Sequence, residues 1–82
     1  MEYDFRDGKG TVAAHKHPNG GGWVSDAATV EGSVFVDNNA RVYGNAQVSG
    51  NAQVYGNARV YGDAWVYGDA WVFGNAMVYG DA

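Results

Sequence analysis

From Ala40 to Tyr79 the chain reads ARVYGN, AQVSGN, AQVYGN, ARVYGD, AWVYGD, AWVFGN, AMVY. Valine falls at every sixth position, and the spacing runs back to the start of the repeat: Val24, Val30, Val36, Val42, Val48, Val54, Val60, Val66, Val72 and Val78 form one series. Two residues before most of these valines stands an alanine, and two after stands a glycine followed by Asn or Asp. In an extended chain, residues two apart share a face, so each Ala-x-Val points a small and a medium side chain inward. The residues on either side of the valine point outward. A helix does not fit, because a period of six drifts around the helical wheel and each interior glycine costs about 1 kcal/mol relative to alanine. Gly-Asn and Gly-Asp tolerate left-handed backbone, so the chain bends at each pair.

Short strands bent at a fixed interval close into a coil, and three repeats return the chain to the same side after eighteen residues. Coils stacked about 4.8 Å apart then satisfy one another's backbone groups and place Val on Val and Asn on Asn. Antiparallel hairpins would bring no residue onto its own kind. The expected fold is therefore all-β, a single-stranded parallel β-helix with three sides and about three coils. Its core columns are Val42, Val48, Val54, Val60, Val66, Val72 and Val78 with the alanines before them; the chain contains no leucine and no isoleucine. The repeat from Val34 to Asn39 departs most from the pattern, with Val34 in the alanine position and Asn38 in the glycine position.

The motifs V-Y-G-N-A-R, V-Y-G-D-A-W and V-F-G-N-A-M resemble the hexapeptide repeats of left-handed parallel β-helix proteins, over roughly residues 23 to 82. The left-handed winding is what that resemblance implies, since general crossover rules favour the other hand. The segment H-x-H-P-N-G-G-G-W-V from His15 to Val24 is similar to small hexapeptide-repeat proteins of bacteria and their phages. Acyltransferases and γ-class carbonic anhydrases share the fold the resemblance implies, and their activity uses histidines on or beside the coils. No histidine follows His17 here. The resemblance therefore extends to fold and not to chemistry, no enzyme and no cofactor are expected, and fold alone licenses no activity.

Residues 1–22 lie outside the repeat. Tyr3 and Phe5 alternate with polar residues between Glu2 and Arg6, Asp7-Gly8 is a hairpin turn signal, and Thr11 to His17 reads as the return strand. Pro18 to Gly22 is a flexible turn into the first coil. This segment is expected to cap the β-helix of residues 23–82, because a solenoid needs its end covered. The other end, Gly80-Asp81-Ala82, stops in mid-pattern. It is expected either to dock on a partner or to continue in the natural protein.

Composition narrows the partners. At 82 residues a conventional globule is marginal, so the chain relies on regularity or association. The absence of cysteine excludes disulfides and thiolate metal sites. A net charge of -4, with Arg41 and Arg59 the only basic residues after Lys16, opposes binding of nucleic acid. There is no apolar run long enough for a membrane span and no signal-peptide core near Met1. The expectation is a soluble, cytoplasmic or virion-associated chain.

The outward columns change along the axis. Tyr43, Tyr61 and Tyr79 share one column, Glu31, Ser49 and Tyr67 another, and Thr29, Gln47 and Trp65 a third. The first is tyrosine throughout and the other two become more aromatic toward their ends, and Tyr61, Trp65, Tyr67, Trp71, Phe73, Met77 and Tyr79 accumulate in the last coil or so. Part of this is stacking along the sheet. A patch this large also points to an interface, so the leading reading is a non-enzymatic interaction module that self-associates end-to-end or side-by-side through this coil. A glycan or host-protein binder, an inhibitor among the latter, is the alternative, with Tyr61, Trp65, Tyr67 and Trp71 as stacking residues.

Two further chemistries are weaker on the residues. His15 and His17 place two imidazoles on one strand face, half of a metal site for which Asp4 across the hairpin is the nearest third ligand. The Asn and Asp column (Asn45, Asn51, Asn57, Asp63, Asp69, Asn75 and Asp81) can ligate calcium, but turn geometry explains it better.

Overall fold

The computed structural model describes residues 2–5 and 10–79. The turn expected at Asp7-Gly8 and the end at Gly80-Asp81-Ala82 lie outside them. Two strands, β1 (Glu2–Asp4) and β2 (Thr11–Lys16), precede ten short ones: β3 (Trp23–Ser25), β4 (Thr29–Val30), β5 (Phe35–Val36), β6 (Arg41–Val42), β7 (Gln47–Val48), β8 (Gln53–Val54), β9 (Arg59–Val60), β10 (Trp65–Val66), β11 (Trp71–Val72) and β12 (Met77–Val78). These ten pair in parallel at an eighteen-residue offset, so that Val24 lies beside Val42, Val48 beside Val66 and Val54 beside Val72. The molecule is a three-sided parallel β-solenoid. Its first face is β3-β6-β9-β12, its second β4-β7-β10, and its third β5-β8-β11.

Burial follows the repeat. Val42, Val48, Val54 and Val60 are at most 1% exposed, as are Ala46, Ala52 and Ala58, and Val66 and Val72 are buried with them. Val78 is half-buried, and Ala70 and Ala76 are exposed. Every coil donates to the next through bonds such as Thr29 N–H to Ala46 O (2.9 Å) and Tyr43 N–H to Val60 O (2.9 Å). The ladder thus meets the backbone's hydrogen-bonding needs while the interior stays apolar.

The corners depend on glycine for two reasons. Gly44 has φ +70°, a left-handed conformation that side chains rarely adopt, and a Cβ there would lie 2.8 Å from Gly62 N in the next coil. The close approach lets Asn45 N–H donate to Gly62 O at 2.9 Å. In the first coil, where Asp26 and Asn38 occupy the glycine position, the corners close locally instead. Ala28 N–H donates to Ser25 O and Ala40 N–H to Asp37 O, both at 2.9 Å. Side chains then supply acceptors to the second coil: Gly50 N–H donates to Glu31 Oε1 (2.7 Å) and Gly56 N–H to Asp37 Oδ2 (3.2 Å). Carboxylates of two successive first-coil repeats, Glu31 and then Asp37 in the least regular one, have therefore taken over corner bonding to the second coil.

The first 22 residues close the leading end in two ways. β1 and β2 form an antiparallel hairpin, and β2 pairs antiparallel with β3 (Ala14 beside Ser25, Lys16 beside Trp23), which covers the edge of the first face. The loop after β2 covers the edge of the third: Gly22 N–H donates to Val36 O (2.9 Å) and Val36 N–H to Asn19 O (3.0 Å). Gly22 packs so closely there that a Cβ would lie 2.3 Å from Val36 Cγ1. His17, 3% exposed, donates its Nε2–H to Val34 O at 2.7 Å.

Candidate functional site: the outer faces of the last coil

The outward positions flank each valine, so every face presents two columns. On the first face the columns form a ladder of rings. Tyr43, Tyr61 and Tyr79 stack at 4.9 and 5.2 Å between centroids, within 8° of parallel. The hairpin joins this ladder, which the alternation of Tyr3 and Phe5 alone did not reveal. Phe5 stacks on Tyr43 at 4.8 Å and Tyr3 on Trp23 at 4.6 Å. Phe5, Ala14 and Tyr43 are the buried centre of a small second core on the outside of the solenoid, with Tyr3, Val12, Trp23 and Tyr61 around it. Along the first face the ladder thus grades from covered rings at Phe5 and Tyr43 to an exposed one at Tyr79.

Of the seven residues singled out on the last coil, Tyr61 is half-buried and has a ring on each side. The other six, Trp65, Tyr67, Trp71, Phe73, Met77 and Tyr79, are between 53% and 67% exposed, two on each face. The three faces treat them differently. Tyr79 continues the ladder on the first face, and on the third Phe73 stacks on Tyr55 at 5.5 Å with Trp71 edge-on to the same ring at 6.2 Å. On the second face the preceding rung is Gln47 and Ser49, so neither Trp65 nor Tyr67 meets another ring among the described residues. A cleft of about 310 Å³ lies there, lined by Gln47, Ser49, Trp65, Val66 and Tyr67.

Charge is segregated. Lys16, Arg41 and Arg59, the described cations, all lie on the sheet of the first face. Arg41 and Arg59 stand in register on adjacent strands, and Arg41 lies 5.7 Å from the Tyr3 ring centroid. The exposed carboxylates Asp63 and Asp69 sit at the two corners that bound the second face in the last coil. The corner between the third and first faces is neutral there, with Asn57 donating to Asn75 Oδ1 at 3.4 Å.

The two histidines do not converge on one site. His15 is exposed and donates its Nδ1–H to Asp26 Oδ1 at 2.7 Å, whereas His17 points inward to Val34 O. Asp4, the third ligand considered from the sequence, lies opposite Thr11 and not opposite a histidine. The strand ends at Lys16, and the turn that follows carries His17 into the leading end of the core. No group of three or more His, Cys, Asp or Glu side chains comes together among the described residues. No helix there is long and apolar enough to cross a membrane.

Residues 38–50 and 52–68 match the YdcK β-solenoid repeat family. The matched segments cover the second coil and run into the third, where the corner glycines are most regular. Among curated proteins and among solved structures there is no match. The chain is a β-solenoid repeat protein.

Proposed function

We propose that this protein is a non-enzymatic interaction module that self-associates through the aromatic side chains of its last coil. The repeat is read as the hexapeptide type, and the left-handed winding follows from that resemblance. The observation that carries the proposal is the two exposed apolar pairs on either side of one corner, Trp71 and Phe73 on the third face and Met77 and Tyr79 on the first. All four side chains are more than half exposed, and the corner between them is the neutral Asn75.

A second copy suits this strip for reasons of charge and shape. No charged side chain lies within the strip itself, and Arg59 stands one rung away from it, beside Met77. Aromatic side chains bury large areas and gain a further increment from offset or edge contacts, which rigid rungs at regular spacing can supply. The leading end favours a closed assembly, because the hairpin and the loop at Gly22 already occupy the edges of two faces there. Open head-to-tail growth would have to displace them. The acidic last coil opposes nucleic acid, which needs a concentrated basic face.

The test is light scattering over a wide range of protein concentration. A mass of two or more chains that falls on dilution supports the reading, and a strictly monomeric particle at high concentration overturns it. Replacing Trp65 and Trp71 together by serine should abolish association and leave the β spectrum unchanged.

A further inference from the structure

We infer that the second face is a carbohydrate-binding platform, which takes an uncharged pyranose unit against Trp65 and Tyr67 and bonds its hydroxyls through Gln47 and Ser49. The face differs from the other two in the rung beneath its aromatic pair. On the first and third faces that rung carries one ring, Tyr61 or Tyr55, on which Tyr79 or Phe73 stacks. On the second it carries an amide and a hydroxyl, so the ring faces of Trp65 and Tyr67 remain available and polar donors and acceptors lie next to them. A pyranose has the matching chemistry, an apolar C–H face edged by hydroxyls.

Size and charge decide the class of ligand. At about 310 Å³ the cleft is at the lower end of the roughly 300–1,000 Å³ of small-molecule sites, the scale of a sugar unit and not of a protein segment. No charged residue lines it, while exposed Asp63 and Asp69 stand at the corners on either side. They repel sialic and uronic acids, phosphate-bearing chains and anionic membranes. They also oppose pairing of this face with itself, since a two-fold contact would bring four carboxylates together. The face is thus poorly suited to the self-association assigned to the neutral strip, and the inference stands apart from that assignment.

The experiment is an array of neutral and acidic oligosaccharides, followed by titration of the bound neutral ones as free sugars with tryptophan fluorescence as readout. Choline is titrated in parallel as a cationic probe of the same rings. The expected result is binding of neutral oligosaccharides. Trp65→Ala should weaken it on the order of tenfold through the lost ring face. Gln47→Ala should weaken it less, and Gln53→Ala, at the matching position of the third face, should leave it unchanged. Trp65 and Gln47 are exposed, so these variants keep the fold, and a chain that proves monomeric can still bind sugar. Absence of binding to every neutral oligosaccharide at millimolar concentration overturns the inference. So does preference for acidic sugars or for choline, or affinity that Trp65→Ala leaves intact.

Discussion

The ring of Phe5 lies 4.8 Å from that of Tyr43 and within 20° of parallel to it, which places a residue of the N-terminal hairpin as the first rung of a ladder that runs to Tyr79. The hairpin is therefore attached twice, by strand pairing at the edge of β3 and by rings on the outer side of the first face. Phe5 is 1% exposed at this junction.

Phe5→Ala should lower stability by about 3 kcal/mol, the lower end for deletion of a buried phenylalanine ring. The loss should be local in its structural effect. Hydrogen exchange should accelerate at the amides of β1 and β2, while those between the second and third coils remain protected. Equal loss of protection in all coils would show that the hairpin and the solenoid unfold as one unit.

Two glycines give opposite expectations. Gly22→Ala drives a methyl group to 2.3 Å from Val36 Cγ1 and 2.4 Å from Asp37 O, and should cost about 1–3 kcal/mol or more. Gly32→Ala meets nothing within 4 Å and its backbone is not left-handed, so it should be neutral or stabilise by up to about 1 kcal/mol. Denaturant midpoints of the two variants, measured side by side, check the pair.

His17→Leu removes the donor to Val34 O in a buried setting and leaves that carbonyl without its side-chain partner. The expected loss is about 1–3 kcal/mol. His15→Leu, at an exposed site paired with Asp26, should change stability by less than about 1 kcal/mol. Thermal unfolding of the two variants separates a structural His17 from a surface His15, and a larger loss for His15→Leu would reverse the assignment.

The solenoid was legible because its signal is periodic. Once Ala-x-Val and Gly-Asn recur every six residues, the eighteen-residue coil, the inward Val42 to Val72 columns and the outward gradient follow from side-chain alternation. The docking of Tyr3 and Phe5 was not legible, because their contacts are with Trp23 and Tyr43 and no repeat links those positions. Nor was the fate of His17, which alternation places beside His15. Its side chain enters the core only because the chain turns after Lys16 to cross the edge of the third face. The distinction between the second face and the others was present in the columns as Gln47 and Ser49. It acquired meaning only when the rungs could be followed ring by ring.

The outer surface of the last coil is the centre of the functional account, with a neutral strip for a second copy of the chain and an acid-framed cleft for sugar. Sedimentation velocity of the wild-type chain beside its Trp71→Ser and Trp65→Ser variants tests this division most directly. The account predicts a wild-type assembly that Trp71→Ser dissociates and Trp65→Ser leaves largely intact. A wild-type monomer at every concentration, or an assembly that Trp65→Ser dissociates and Trp71→Ser does not, would contradict it.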